Sequence, residues 1–164
     1  MEIIKAGFGD YNLVHTLAEK VWPQTYKNIL TNDQITYMFE MMYSQTAYNE
    51  QIEKKGHEFL LIRDENGYLG FASYELNYDN KPITKVHKIY VLPQTQGKGA
   101  GRALIDKISK IATDNNNTVV SLNVNRYNTA IGFYEKIGFV KVGQEDIDIG
   151  NGYLMEDYIM QKAV

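Results

Sequence analysis

The most constraining feature of the sequence is a short apolar strand that leads through a glycine-rich turn into a helix. Ile89–Leu92 is an apolar run of the kind that forms a buried strand, and Pro93 ends it because proline lacks the N–H that a strand ladder needs. From Ala103 onwards the apolar residues recur at helical spacing. Between the two elements, glycine stands at every second position: Gly97, Gly99 and Gly101.

Such a turn is suited to binding an anion. Its backbone N–H groups can point at one spot, the helix dipole favours negative charge there, and Lys98 and Arg102 add positive charge. The motif of ATP- and GTP-binding loops is excluded because Lys98 is followed by glycine rather than by Ser or Thr. The dinucleotide-binding fingerprint is excluded because its third glycine is missing. A tight turn without any ligand remains the alternative.

Helices are predicted before and after this turn. Asp10 is positioned to cap a first helix, which Trp22-Pro23 is expected to end or kink. Thr31 or Asn32 caps a second helix, and Ser44 begins a third. A short helix near the carboxyl end should be capped by Asn128 and terminated by Gly138.

Strand-like patterns predict a single α/β domain of the α+β type over residues 1–164. Seven segments have this character: Met1–Ala6, Phe59–Arg63, Tyr68–Leu76, Thr84–Leu92, Thr118–Asn125, Phe139–Gly143 and Leu154–Gln161. Strand, helix and strand across the glycine-rich turn predict a right-handed crossover and therefore a central parallel pair. We expect a mixed, mostly antiparallel sheet of about seven strands, flanked by helices.

Composition narrows the class of protein. With 17 basic and 20 acidic residues the net charge is −3, which argues against a nucleic-acid-binding surface. Neither a membrane span nor a signal sequence is apparent, so we expect a cytoplasmic protein without a membrane partner. The absence of cysteine excludes disulfides, thiolate metal sites and a cysteine nucleophile. His15, His57 and His87 are scattered along the chain, so no metal site is expected.

Two separated motifs resemble the GNAT superfamily of acetyl-CoA-dependent N-acetyltransferases. Gln96–Leu104, directly after the apolar strand, is similar to that family's Gln/Arg-x-x-Gly-x-Gly/Ala loop. Ala130–Phe139 is similar to its Tyr-Glu-Lys-x-Gly-Phe helix, and the order of elements along the whole chain also agrees. A narrower likeness, of Trp22–Tyr26 and Tyr153–Met160, is to bacterial members related to polyamine acetyltransferases.

The resemblance implies acetyl-CoA as cosubstrate and a splayed central pair of parallel strands. Main-chain groups of Ile89, Tyr90 and Val91 would hold the pantetheine arm and the acetyl carbonyl. The family commonly has a cofactor-contacting asparagine where this chain has Tyr127, and either Asn125 or Asn128 is a candidate replacement. Gln96 is a further cofactor-binding candidate, and the loop residues that would hold the pyrophosphate are Gly97, Lys98, Gly99, Ala100, Gly101 and Arg102.

The resemblance also implies that Tyr134 protonates the departing thiolate, a role that a phenol can perform. The alternative is that Tyr134 only packs in the core. His87 is the first candidate for the general base because its ordinary pKa suits proton transfer near neutrality, and Glu75 is the second. The sequence does not say which face of its strand His87 occupies.

We expect the acceptor to be a primary amine on a small cationic molecule such as a polyamine, attacked directly in a ternary complex. Trp22, Tyr26 and Tyr37 would form aromatic walls of its pocket. A protein N-terminal acetyltransferase is one alternative, and a non-catalytic acyl-CoA-binding regulatory module is another. A homodimer is compatible with either. The acidic residues that favour a cationic acceptor are Glu40, Glu145, Asp146, Asp148, Glu156 and Asp157.

Overall fold

The computed structural model describes residues 1–164 as one α/β unit. No helix is both long enough and apolar enough to cross a bilayer. In chain order the elements are β1 (Glu2–Ala6), α1 (Tyr11–Tyr26), α2 (Asn32–Tyr43), α3 (Gln45–Glu53), β2 (Glu58–Asp64), β3 (Gly67–Glu75), β4 (Ile83–Val91), α4 (Ala100–Asp114), β5 (Val119–Asn125), α5 (Ala130–Lys136), β6 (Val140–Asp148) and β7 (Leu154–Ala163).

The seven strands form one mixed sheet in the order β1-β2-β3-β4-β5-β7-β6. Only β4 and β5 run parallel, and α4 makes the crossover between them. All other neighbours are antiparallel. The predicted fold class, a mostly antiparallel sheet with a central parallel pair, is therefore confirmed.

The parallel pair separates along its length. Only Ile83–Val86 of β4 pair with β5, where their partners are Val119–Leu122. β3, in contrast, stays paired with β4 as far as Val91. A wedge-shaped gap therefore opens in the middle of the sheet, on the side that leads to the glycine-rich turn. Backbone groups of β4 that face this gap have no partner strand.

Helices cover both faces of the sheet and create two hydrophobic clusters. The first lies between the sheet and α4, because α4 places Leu104, Ile105 and Ile108 on one buried stripe. The second lies between the opposite face and helices α1 to α3, and it is rich in aromatic side chains such as Trp22 and Phe71. The gap between β4 and β5 connects the two sides.

Three predicted helix caps are present, whereas Asp10 does not cap the first helix and Trp22-Pro23 does not end it. Thr31 and Ser44 cap α2 and α3, and the Asn128 side chain accepts from the backbone N–H of Ala130 at the start of α5. Asp10, however, accepts from the N–H of Gly7 instead of capping α1. The first helix also continues through Pro23 to Tyr26, since proline removes one N–H bond there and the buried aromatic side chains still hold the last turn.

Candidate active site

A cavity of about 1060 Å³ occupies the gap between β4 and β5. It reaches from the glycine-rich turn, past the splayed strands, to the aromatic side chains of α1 and to the start of β7. Its walls therefore join the glycine-rich turn and the helix of Tyr134 to segments that are far away along the chain. Such concave sites with a few polar groups are where ligands bind.

The glycine-rich turn has the backbone geometry that its sequence predicts. Gly97 and Gly99 have φ angles of +90° and +84°, a region that favours glycine, and Gly99 leads directly into α4. A Cβ atom added to Gly101 would lie 3.4 Å from the ring of Phe133 and 3.8 Å from Val91. The cavity is lined by Gln96, Gly97, Gly99, Ala100, Gly101 and Arg102, but Lys98 lies outside it.

Beyond the last β4–β5 pair, Ile89, Tyr90 and Val91 also line the cavity. Ile89 and Val91 pack towards the α4 cluster, whereas Tyr90 points to the aromatic side and its hydroxyl lies 3.0 Å from that of Tyr26. The main chain of this segment is thus held from both faces while its edge towards β5 stays open.

Tyr134 is a buried residue of α5 that lines the same cavity. Its ring packs edge-on against Phe133 and Phe139, but its hydroxyl has no hydrogen-bond partner within the protein. Burial and the nearby Tyr26 raise the pKa of Tyr134 well above its ordinary value. The phenol is therefore protonated throughout the physiological range and has a proton to donate.

Both candidate asparagines line the cavity. The side-chain oxygen of Asn125 accepts from the N–H of Tyr127 at 2.9 Å, and that of Asn128 accepts from Ala130 at 2.8 Å. Their amide NH₂ groups make no bond within the protein, so each can donate to a ligand. Tyr127, which stands at the family's asparagine position, is 66% exposed.

A β-bulge decides where the candidate base points. Ser73 is opposite Lys88 and Tyr74 is opposite Val86, which leaves His87 as an extra residue on β4. Val86 packs in the α4 cluster, whereas His87 and Lys88 both contact groups on the opposite face. His87 lines the cavity on the side of the aromatic cluster.

The two candidate bases are bonded to each other. Nε2 of His87 lies 2.9 Å from Oε1 of Glu75, which itself lies outside the cavity. Burial, together with the neighbouring His57 and Lys88, holds the pKa of His87 well below its ordinary value, so the near-neutral pKa on which its choice as base rested is wrong for the folded chain. Burial raises the pKa of Glu75. His87 is therefore neutral at pH 7 with Nε2–H directed at the carboxylate, and Nδ1 is left without a partner in the protein.

Two of the three histidines, which are far apart in the sequence, lie together in space. His57 stacks on His87 with ring centroids 3.8 Å apart and an angle of 13° between the planes, and its Nε2 lies 3.6 Å from the same Glu75 oxygen. Burial, Lys88 and Lys55 lower the pKa of His57 to about 4. His57, Glu75 and His87 each offer one ligand atom, and these atoms lie within 4.8 Å of one another, so the three form a group that could hold a metal ion, although Lys55 and Lys88 nearby oppose a cation. The expectation of scattered histidines is therefore wrong for His57 and His87.

Two of the six acidic residues singled out in the sequence line the cavity, Glu145 and Asp157. Asp157 is only 4% exposed, and its carboxylate accepts one long hydrogen bond of 3.4 Å from Asn123, which in turn accepts from Lys85. Burial raises the pKa of Asp157. Glu156 instead lines a smaller adjoining cavity of about 280 Å³, and Glu40, Asp146 and Asp148 line neither.

The predicted aromatic walls are only partly brought together. Trp22 and Tyr26 line the cavity, although Trp22 is 1% exposed and donates to the hydroxyl of Tyr43 at 3.2 Å. Tyr37 lies outside it, because its hydroxyl donates to the carbonyl of Ile149 at 2.6 Å. Its position supports the β6–β7 hairpin rather than the cavity wall.

Sequence reasoning missed a buried lysine beside the base. Lys88 is 7% exposed, donates to Gln51 at 2.7 Å and lies 5.4 Å from the ring centroids of both Tyr43 and Phe59. Burial and the nearby Lys55 lower its pKa to about 7. Strand alternation would not have found it, since the bulge at His87 changes the face of every later residue of β4.

The sequence of this chain is similar to those of known acetyltransferases. A family model described as "Acetyltransferase (GNAT) domain" matches residues 26–160. An uncharacterized N-acetyltransferase of Methanocaldococcus jannaschii is 26% identical over 88% of this chain and 67% of its own length. The L-amino acid N-acyltransferase MnaT of Escherichia coli is 33% identical over 52% of each chain, so the match spans about half of that relative.

Solved structures share the fold. PaiA N-acetyltransferase from Thermoplasma acidophilum, in complex with coenzyme A, superposes with a TM-score of 0.82 at 24% identity, over 99% of this chain and 98% of its own. A chimera of spermidine N-acetyltransferase SpeG from Vibrio cholerae and hSSAT gives 0.69 at 22% identity, over 99% and 96%. The chain therefore belongs to the GNAT acetyltransferase family, which confirms the enzyme class and the acetyl-CoA cosubstrate that its two motifs predicted.

Proposed function

We propose that this chain transfers the acetyl group of acetyl-CoA to a primary amine of a small cationic molecule, by direct attack in a ternary complex. The observation that carries the proposal is one cavity that holds three kinds of group. A glycine-rich helix start, an unbonded phenol and a buried carboxylate, Asp157, all line it. Each group serves a different part of the reaction.

The glycine-rich turn is the proposed site for the pyrophosphate of acetyl-CoA. Gly97 and Gly99 in the left-handed region direct N–H groups towards the start of α4, where the helix dipole favours an anion, and Arg102 adds charge. The open edge of Ile89–Val91 offers backbone N–H groups to the pantetheine arm and the thioester carbonyl. A fixed N–H donor at that carbonyl stabilises the negative charge that develops in the transition state.

Tyr134 is the proposed acid and His87 the proposed base. As the amine attacks and the C–S bond breaks, Tyr134 donates its proton to the leaving thiolate. His87, neutral and held by Glu75 through Nε2, accepts the amine proton at Nδ1, directly or through one water. Glu75 then stabilises the imidazolium that forms, since a carboxylate at 2.9 Å favours the charged ring.

The acceptor is proposed to be an alkyl polyamine. Asp157 is a buried carboxylate without a bonded cation, and an incoming ammonium would supply the missing charge. Glu145 lies on the same wall, and the rings of Trp22 and Tyr26 supply aromatic surface that attracts cations. A solved relative of the same fold is described as a spermidine N-acetyltransferase, which supports this choice.

The test is a panel of polyamines, amino acids, aminoglycosides and peptides with free amino termini, assayed by coenzyme A release at several salt concentrations. Polyamines should be turned over, and the rate at low polyamine concentration should fall as salt screens the carboxylates. Asp157→Asn should raise the polyamine KM about tenfold or more, because it removes a buried charge partner. Asp148→Asn, outside the cavity, is the matched control and should change nothing.

Activity on peptide amino termini alone would contradict the polyamine proposal and favour the alternative of a protein N-terminal acetyltransferase. One solved structure of this fold, from Escherichia coli, is described as a ribosomal-protein-S18-alanine N-acetyltransferase, with a TM-score of 0.72 at 16% identity over 99% of this chain and 93% of its own. If Asp157→Asn leaves the polyamine KM unchanged, Asp157 is not the charge partner of the acceptor.

A further inference from the structure

His57 is unusual among the buried residues near the cavity. Its ring lies flat against the proposed base His87, with centroids 3.8 Å apart and planes at 13°. Yet its Nδ1 is buried without a hydrogen-bond partner, and its Nε2 lies 3.6 Å from Glu75, too far for a hydrogen bond. Burying an unpaired polar atom destabilises a fold, so packing alone does not account for a histidine here.

The contacts of His87 show what its neighbours do to it. One face of its ring is covered by His57, and the ring of Tyr78 meets it edge-on at 5.8 Å and 69°. Glu75 holds Nε2 at 2.9 Å. The imidazole is therefore limited to one orientation, in which Nδ1 is the nitrogen without a protein partner.

We propose that His57 is a positioning residue for the base, whose stacked ring holds His87 in the tautomer that bonds Glu75 through Nε2–H and leaves Nδ1 free to accept a proton. The role assigned here rests on the proposed function of His87 as base. His57 also lines the cavity, but the contribution proposed here passes through the His87 ring that it covers. The stacked wall also keeps water away from one face of His87.

Charged groups around the pair give the direction of the effect on protonation. Burial is the largest cause that lowers the pKa of His87, and the His57 ring covers one face of it, so removing that ring should allow His87 to keep its proton up to higher pH. The titratable and charged groups that face the pair are Glu75 on β3, Lys85 and Lys88 on β4 and Lys55 after α3, with the Tyr78 hydroxyl beside them.

The experiment compares the wild type, His57→Ala and His57→Phe by two readouts. Two-bond ¹H–¹⁵N correlation spectra report the tautomer and the titration of His87 without any substrate. The acidic limb of the kcat/KM profile with acetyl-CoA and the best amine reports the same group during turnover. His15→Gln, in a half-buried pair with Glu19 on α1, is the matched control.

In the wild type, His87 should show the Nε2–H tautomer and stay neutral well below its ordinary pKa. In His57→Ala it should exchange between tautomers, and its titration should move to higher pH because one face of the ring is opened to water. His57→Phe should restore the wild-type tautomer and limb, since it returns an aromatic wall. If His57→Ala does not fold, His57→Gln makes the same test, because it also lacks a ring.

Unchanged spectra and an unchanged limb in His57→Ala or His57→Gln would overturn the proposal. A shift that His57→Phe fails to restore would overturn the stacked wall as its cause and point to the contact between His57 and Glu75. Full activity of His87→Ala would instead refute His87 as base. The spectra of the His57 variants need no turnover and would still decide whether His57 fixes the neighbouring ring.

Discussion

The two hydrophobic clusters differ in composition although they pack on the same sheet. The α4-side cluster, between the sheet and α4, has three aromatic residues among 17 buried ones. The aromatic cluster, under α1 to α3, has six aromatic residues among 14. Ionisable side chains are buried beside it, among them Lys88 and His57. The α4 side is a largely aliphatic support for the glycine-rich turn, whereas the other side combines aromatic packing with buried polar groups.

This difference follows from what each side must contact. The α4-side cluster holds the glycine-rich turn and Tyr134 through neighbouring stretches of the chain, and it needs only a rigid base. The aromatic cluster lies beside the part of the cavity that is proposed to hold the acceptor, where Tyr26, His87 and Asp157 line the wall. Rigidity on one side and buried polarity on the other can be separated by mutation.

The largest expected effect is on the α4-side cluster. Leu104→Ala should lower the free energy of unfolding by about 2–5 kcal/mol, because Leu104 is 0% exposed and its truncation leaves a cavity. Urea denaturation measures this loss. Relative rates among different amines should be unchanged, since Leu104 is remote from the acceptor half. Val142→Ala on exposed β6 is the control and should shift stability by less than about 0.5 kcal/mol.

A change in amine preference in Leu104→Ala, measured at a temperature where the variant is folded, would show that the two clusters are coupled. The two clusters would then act as one core rather than as two functionally distinct sides.

The second prediction concerns buried charge in the aromatic cluster. The pKa of Lys88 is about 7 in the folded chain against 10.5 in the unfolded one, so the unfolded state binds more protons between these values. Stability of the wild type should therefore rise as pH increases from about 7 to about 10.5 through this group, by about 4 kcal/mol over the whole window.

Lys88→Met removes the titrating group while keeping much of the side-chain volume. The stability difference between Lys88→Met and the wild type should be most favourable to the variant below pH 7 and should shrink towards pH 10. Urea denaturation at pH 6.5, 8 and 9.5 measures it. Tyrosines that titrate above pH 10 are common to both chains and cancel. A difference that does not vary with pH would mean that Lys88 stays charged in the fold.

The third prediction takes a residue that belongs to one cluster but serves the cavity. Tyr134→Phe should lower kcat by about ten- to a thousandfold, the size of an acid–base contribution, because it removes the proton for the thiolate. Calorimetric affinity for acetyl-CoA should change little, since the hydroxyl makes no bond in the protein and the ring is retained. Tyr68→Phe on β3, where the hydroxyl accepts from Arg63, is the control.

Full activity of Tyr134→Phe would return Tyr134 to a purely structural role in the α4-side cluster. A loss of affinity equal to the loss of rate would place the hydroxyl on the bound cofactor rather than on the reacting sulfur.

The sequence predicted one side of the molecule better than the other, for a physical reason. The turn at Gly97–Gly101, the parallel crossover and the helix of Tyr134 depend on residues within a few turns of each other, so local patterns suffice. Local patterns do not suffice for the surroundings of His87. The bulge that turns His87 is a register shift between β3 and β4, and His57 lies 30 residues away in the sequence. Tyr37 was misleading because aromatic residues look alike in a sequence whether they line a cavity or brace a hairpin.

The smallest expected effect concerns the glycine-rich turn, which lies on the side of the molecule that the sequence predicted well. Gly101→Val should weaken acetyl-CoA binding by about tenfold, since a β-branched side chain would crowd the turn where the pyrophosphate is proposed to lie. The added Cβ would also meet Phe133 at 3.4 Å and Val91 at 3.8 Å, so the new methyl groups must turn towards the cavity or displace these neighbours. Calorimetric titration with acetyl-CoA measures the loss. Gly9→Val is the matched control, because an added Cβ there meets nothing within 4 Å.

If Gly101→Val folds with a wild-type melting temperature and binds acetyl-CoA normally, the turn would not approach the pyrophosphate through this residue. The strength of binding would then have to come from Ile89–Val91 and the asparagine amides. If affinity falls while amine preference among turned-over substrates is unchanged, the cofactor half and the acceptor half act independently. That result would extend the division between the two clusters from their packing to their function.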